Sequence, residues 1–337
     1  MPKCGSQITI CDLPIRFDTY QGCTHMCQYC FVQMKYDIAK VETGESLQSL
    51  QRFIGGQRPG EVSWCDWDIP IHWGGVSDPL QPAEKIHRRS YAALKLFAET
   101  GYPFVISTKG ALLGKDEYLD LLGRCNCVVQ VSLVSPQLDK LEKGAPTFAD
   151  RLRIIEKVAP RVKRLIVRVQ PYMVEVFGDI LKQIPTYRQI GVHGLTVEGM
   201  KYKRKRPGLE KIGGDFCYPV SVLKQHFEVI RDTCHSNGLR FYAAENRLRK
   251  MGDSLCCCGI DGLDGFTPNT YNLNHYLHDR ESFVPTPTMS QPGSAACFTA
   301  ICQDSCSNSA LRKLSLKEAI EAATRDRGMI SQLLEKR

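Results

Sequence analysis

The chain has 337 residues, 43% of them hydrophobic and 24% charged, and Lys and Arg exceed Asp and Glu to give a formal charge of +8. That composition excludes a disordered tail or a collagen-like fibre, and supports one large core or a large domain with a small appendage. No run of about 18 apolar residues marks a membrane span, and Met1–Ser6 lacks the apolar core of a signal peptide, so a cytoplasmic location with no membrane partner is expected.

Short β-rich runs alternate with amphipathic helical stretches along most of the chain. The strands are expected at Ile69–Trp73, Phe104–Thr108, Val128–Val134, Leu165–Gln170, Gly194–Glu198 and Arg240–Ala244. Helices are expected at Ala83–Thr100, Lys115–Leu122, Phe148–Ala159 and Val222–Ser236. The apolar spacing of Leu152, Ile154, Ile155 and Val158 suits a buried helix face. Strands alternating with helices imply right-handed β-α-β units, hence a parallel α/β sheet and a full or partial (β/α) barrel. Chemistry in such a barrel sits at the C-terminal ends of the strands.

The pattern decays after about residue 250. The division expected is a barrel over 1–250 and a Cys-rich extension with a C-terminal helix over 251–337. Ser315 and Glu318 can form a capping box, followed by a stripe of Leu316, Ile320, Ala323, Ile330 and Leu333. Lys201–Arg206 is the densest basic run. It reads as a phosphate contact near the barrel mouth or as a solvated loop.

The cysteines number 16 and are concentrated in two places. In a long chain without an export signal, such clusters bind metal more often than they form disulfides. The first is Cys23-Thr24-His25-Met26-Cys27-Gln28-Tyr29-Cys30. Three thiolates can hold three irons of a 4Fe–4S cubane and leave the fourth iron open. The alternative is zinc, with His25 or Cys11 as fourth ligand. The second concentration is Cys256, Cys257 and Cys258 with Cys297, Cys302 and Cys306. It suits an auxiliary 4Fe–4S cluster, a structural zinc or a set of unligated thiols. Glu198 and Glu245 fall at strand ends and are candidate substrate-facing acids or core-edge ion pairs.

The C-x3-C-x2-C string with Tyr29 resembles the signature of the radical S-adenosylmethionine (SAM) superfamily. Gly74–Glu84, Ile106–Gly110, Val131–Leu133 and Leu141–Pro146 resemble the branch containing spore photoproduct lyase and the DNA repair photolyases. The resemblance covers roughly residues 13–200. It implies a partial (β/α)6-type barrel, a site-differentiated 4Fe–4S cluster on Cys23, Cys27 and Cys30, and SAM as cofactor. It further implies Tyr29 against the adenine, Ser77 and Asp78 toward the methionine or ribose, Lys109 on the methionine carboxylate and Ser132 beside it. It also implies a reductant such as flavodoxin or ferredoxin. Gly75 departs from the pattern: spore photoproduct lyase carries there the cysteine that returns a hydrogen atom to its product radical. Three functions stay open: radical chemistry on a nucleic-acid base, with DNA as partner; radical chemistry on a peptide or small metabolite; and non-catalytic metal binding.

Overall fold

A computed structural model describes residues 1–4, 10–34, 37–63, 65–212, 215–279, and Ser315 and Glu318. Cys297, Cys302, Cys306 and the apolar stripe of the C-terminal helix lie outside the described residues. Ser315 and Glu318 do exchange the reciprocal hydrogen bonds of a capping box, at 2.7 and 3.2 Å.

The main sheet has eight strands in sequential order. They are β1 (Lys3–Cys4), β2 (Ile15–Phe17), β3 (Ile71–Trp73), β4 (Phe104–Thr108), β5 (Cys127–Ser132), β6 (Arg164–Tyr172), β7 (Gly194–Gly199) and β8 (Arg240–Ala243). Strands β2 to β8 pair in parallel, and β1 joins β2 antiparallel. All six expected strands are present. The parallel strand that sequence patterning missed is β2, three residues long and too short to show a period.

The connections carry α1 (Leu47–Ile54), α2 (Arg89–Thr100), α3 (Asp116–Leu122), α4 (Phe148–Val158), α5 (Phe177–Ile190) and α6 (Val220–Ser236). The single helix expected over Ala83–Thr100 is broken at Arg88, whose φ is +48°. The Glu84 carboxylate accepts the backbone N–H of Ser90 and of Tyr91 at 2.9 and 2.7 Å, so it serves the exposed donors at the start of α2. Helix α5 was absent from the expected set because Pro185 stands inside it, where proline normally breaks a helix. Burial of Ile180, Ile184 and Tyr187 against the sheet offsets that penalty.

Side chains alternate across the sheet. One face (Trp73, Phe104, Ile106, Val129, Val167, Leu195) meets the helices in the main core. The other lines a lumen. Its lower layer is apolar, with Val105, Val128, Ile166 and Tyr242 packed on Leu13. Above it lie Arg16, His72, Ser107, Gln130, Arg168 and Thr196, placed on one face by the strand register. Cys256, Cys258, Ile260 and Phe266 plug the lower end. The plug is tied in by Gln130 Nε2 donating to the Cys258 carbonyl at 3.2 Å and by Arg164 donating to the Gly259 carbonyl at 2.7 Å. Further on, Asn269, Asn272 and His275 bond to the Asp12 region, so this part of the Cys-rich segment joins the open side of the sheet beside β1 and β2. Among the described residues no helix is long and apolar enough to cross a membrane.

Candidate active site

The loop leaving β2 carries Cys23, Cys27 and Cys30. Cys27 is buried, the other two half-buried, and all are free thiols. The chain must turn sharply here. Gly22 has φ +84°, and a Cβ on it would lie 2.3 Å from the Lys40 carbonyl oxygen, so only glycine fits. Met26 also has a positive φ, +48°, an uncommon conformation for a side-chain-bearing residue.

The loop is held from two sides. From the β3 side, Ser77 Oγ and Gln81 Nε2 donate to the Gly22 carbonyl at 2.7 and 3.0 Å, and Thr24 N donates to Gln81 Oε1 at 2.9 Å. From the segment before α4, Gln28 N donates to the Leu141 carbonyl at 2.8 Å and Gly144 N to the His25 carbonyl at 3.1 Å. Burial pushes the Cys23 thiol up to about 12, with the Asp78 charge adding to it. Loading a cation there therefore releases protons.

Asp78 is fastened to the strand ends. It accepts from Thr108 Oγ1 and Lys109 N, each at 2.6 Å, and from Leu80 N at 2.9 Å. His25 Nε2 lies 3.2 Å from it. Burial acts to raise this carboxyl, but His25 and the hydrogen bonds prevail and hold it at about 2. The Nε2 contact is an ion pair without hydrogen-bond geometry, and Nδ1 lies 3.0 Å from the Gly144 carbonyl oxygen.

The remaining expected site residues gather above the lumen. Lys109 Nζ stands 5.8 Å from the Tyr29 ring centroid and 3.9 Å from Glu142 Oε1. The Tyr29 hydroxyl donates to Glu142, and burial, then that charge, keeps the phenol protonated well above its ordinary range. Arg151, itself buried, bridges Glu142 Oε2 at 2.5 Å and the Ser132 carbonyl at 2.9 Å. Glu142 and Arg151 were visible only as parts of a motif. Their role in joining Tyr29, Lys109 and Ser132 depends on contacts between distant segments. Glu198 and Glu245 are ion-paired to Lys201 and Arg247 respectively.

Three free thiols on one loop fit a 4Fe–4S cubane. His25 turns Nε2 toward Asp78 and Nδ1 toward the Gly144 carbonyl, and Cys11 packs at the lower lumen near Cys257. Among the described residues no three His, Cys, Asp or Glu side chains converge as a site for one metal ion. A cubane asks for no such point, because each thiolate binds a different iron. Cys256 and Cys258 are buried in the plug and Cys257 is half-buried beside them.

No family model matches the chain. Uncharacterized proteins of Mycobacterium tuberculosis H37Rv and Mycobacterium bovis are each 26% identical over 212 residues, covering 58% of this chain. The chain spans 62% of the length of those relatives. A mutant spore photoproduct lyase with AdoMet and a dinucleoside spore photoproduct bound superposes with a TM-score of 0.53 at 18% identity, over 68% of this chain and 76% of that one. Streptococcus suis SuiB bound to S-adenosylmethionine gives 0.50 at 13% identity, over 69% and 51%. The chain therefore has an α/β fold of the radical SAM type, a partial barrel built on a parallel sheet. Among the enzymes of that type, spore photoproduct lyase is one that it resembles in fold.

Proposed function

We propose that this protein is a radical SAM enzyme acting on a nucleic-acid base, a thymine-type lesion or a hypermodified pyrimidine. The observation that carries the first part is the ligand set: three thiols on one fastened loop, with the neighbouring histidine committed to Asp78 and Gly144. A 4Fe–4S cluster held by Cys23, Cys27 and Cys30 would supply one electron to the SAM sulfonium and so generate a 5′-deoxyadenosyl radical. The chain's own task is to bind and shield. Lys109 offers its ammonium to the SAM carboxylate as a point charge. Tyr29, with its hydroxyl anchored on Glu142, presents a ring face to the adenine. Ser77 and Asp78 act through the loop they brace, and Ser132 lines the same mouth.

The base substrate is supported by the fold likeness and by the basic run Lys201–Arg206, which follows β7. Arg204 and Lys205 are exposed there. A duplex substrate would have to extrude its base, at an unstacking cost of about a few kcal/mol. Modification of a peptide or small metabolite is the second reading, favoured by the closed lower end of the lumen. The electron would come from a flavodoxin or ferredoxin.

The test is anaerobic reconstitution with iron and sulfide, then reduction in the presence of SAM. Release of 5′-deoxyadenosine that is lost in Cys27→Ala is expected. A protein that takes up iron and never cleaves SAM would sink the enzyme reading. Turnover that rises with base-containing oligonucleotides separates the first substrate class from the second. Iron content also tests the proposal of a second cluster on Cys256, Cys257 or Cys258 with Cys297, Cys302 and Cys306: about eight irons per chain supports it, and about four refutes it.

A further inference from the structure

Two guanidiniums face the lumen beneath this mouth, and the charge of Glu198 acts on one of them, Arg168, without direct contact. Arg16 on β2 and Arg168 on β6 share its inner face with His72, whose imidazole feels the charge of both. Neither guanidinium has a carboxylate within 4.0 Å among the described residues, whereas buried Arg151 and Arg247 pair with Glu142 and Glu245. Glu198 acts on Arg168 through its charge, while its direct bonds, like those of the other nearby carboxylates, go elsewhere. Glu198 binds Lys201 and Gln170, Glu245 binds Arg247, and Asp12 binds Asn272 and His275. Burial, then Glu45, pushes the Asp18 carboxyl up to about 8, and its Oδ1 accepts from Val76 N and Ser77 N. His72 is held neutral by burial and by the two guanidiniums.

Polar atoms on the same face are left over. Arg16 Nε is buried with no hydrogen-bond partner, and so is the Oγ1 of Thr196, a residue only 3% exposed that stands beside Arg168 in the register. Arg168 spends one N–H on Gln170. The Arg16 guanidinium reaches up to Gly75, where a Cβ would lie 3.2 Å from its Nη1. It therefore occupies the space a side chain at position 75 would need. Two half-buried cations and a buried unsatisfied hydroxyl are costly unless something pairs with them. Planar guanidiniums suit a two-oxygen acceptor.

We infer that Arg16, Arg168 and Thr196 form a subsite for an oxyanion, the phosphate or carboxylate of the substrate, one register step from Ser132. The inference rests on the radical SAM reading for the word substrate, and on the lumen alone for the anion. The plug at the lower end limits the occupant to a small molecule or to one residue of a polymer inserted from the mouth.

The test is calorimetric titration of the reconstituted protein, saturated with SAM, with sodium orthophosphate and separately with sodium acetate. Sodium chloride at matched ionic strength is the control. Saturable binding of at least one oxyanion is expected. Phosphate alone would point to a phosphorylated or nucleotidic substrate, and acetate to a carboxylate. Arg168→Gln and Arg16→Gln should each weaken binding about tenfold or more, as loss of a hydrogen bond to a charged group does. Thr196→Val, close in shape and safer for folding, should weaken it several-fold. The inference is overturned if neither oxyanion binds beyond chloride, if all three variants bind like the parent, or if SAM saturation abolishes binding, which would make this the cofactor's own carboxylate site. Release of 5′-deoxyadenosine is measured in the same preparations. Anion binding without SAM cleavage would refute the enzyme reading and keep the subsite. SAM cleavage without anion binding would remove the subsite alone.

Discussion

The Tyr29 hydroxyl donates to the Glu142 carboxylate across 113 residues of chain. That bond couples the cluster loop to the segment that opens α4, and Glu142 passes the constraint on to Arg151 and, at 3.9 Å, to Lys109. Glu142 and Arg151 are both buried, so removing one partner leaves the other charge without compensation. Glu142→Gln is expected to cost about 3 kcal/mol of stability, because Arg151 keeps only the Ser132 carbonyl and a 3.4 Å contact with Asp139. Pairing it with Arg151→Met should recover part of that loss. Denaturant unfolding of the two single variants and the double variant measures the coupling; strictly additive losses would show that the pair does not interact.

The cluster loop also depends on a backbone approach that only glycine permits. A Cβ on Gly144 would stand 2.1 Å from the Thr24 carbonyl oxygen and 2.9 Å from the His25 Cα, both of them backbone atoms. Gly144→Ala must therefore push the loop away from its brace. Iron uptake on reconstitution is expected to fall at least severalfold, with a stability loss of about 1–3 kcal/mol. Gly178→Ala is the matched control, since a Cβ there meets nothing within 4 Å and lies in helix α5. Equal iron content in the two variants would show that the approach at Gly144 is not needed for loading.

The parts of this site that sequence disclosed are those written contiguously. Cys23, Cys27 and Cys30 lie within one turn-rich string, and Lys109 and Ser132 end or follow recognisable apolar strands. Arg16 could not be found that way. Its strand is three residues long, and nothing local says that it faces a lumen. Glu142 looked like one charge in a helix-opening motif, and its partners lie far away in sequence. The Cys256–Cys258 triplet gave a metal signal by composition. Its place as a plug against Val105, Val128 and Ile166 follows from packing between segments more than 80 residues apart, which no periodicity records.

Structure also divides the basic run that composition presented as a block. Lys201 and Lys203 are ion-paired with Glu198 and Asp215, and the Arg206 guanidinium lies 4.3 Å from the Tyr202 ring centroid. Arg204 and Lys205 are exposed, with no ion pair among the described residues. If nucleic acid is the substrate, these two carry the phosphate contacts. Arg204→Glu with Lys205→Glu should weaken binding of a single-stranded oligonucleotide about tenfold at low salt and flatten the salt dependence by a slope of about one to two. An affinity and slope equal to the parent's would remove Arg204 and Lys205 from the interface.

His193 gives the fold a dependence on pH that a single substitution can isolate. Its ring stacks on Tyr242, with Nε2 3.1 Å from the Tyr242 hydroxyl. Burial, then the Arg164 guanidinium, pushes it down to about 4 from an ordinary value of 6.5. Between those two values the unfolded chain takes up a proton that the folded chain refuses. The unfolded state therefore binds more protons, and stability falls as pH drops through that window. Above about pH 6.5 both forms are neutral and the contribution is complete; below about pH 4 its loss is complete. His193→Gln has no such proton to take up, so its stability should change less between pH 7.5 and pH 4.5 than the parent's. His72 shifts in the same direction but is common to both proteins, so it cancels in the comparison. Urea midpoints of parent and variant at the two pH values supply the check. Parallel shifts would mean that His193 is protonated in the folded protein as readily as in the unfolded chain.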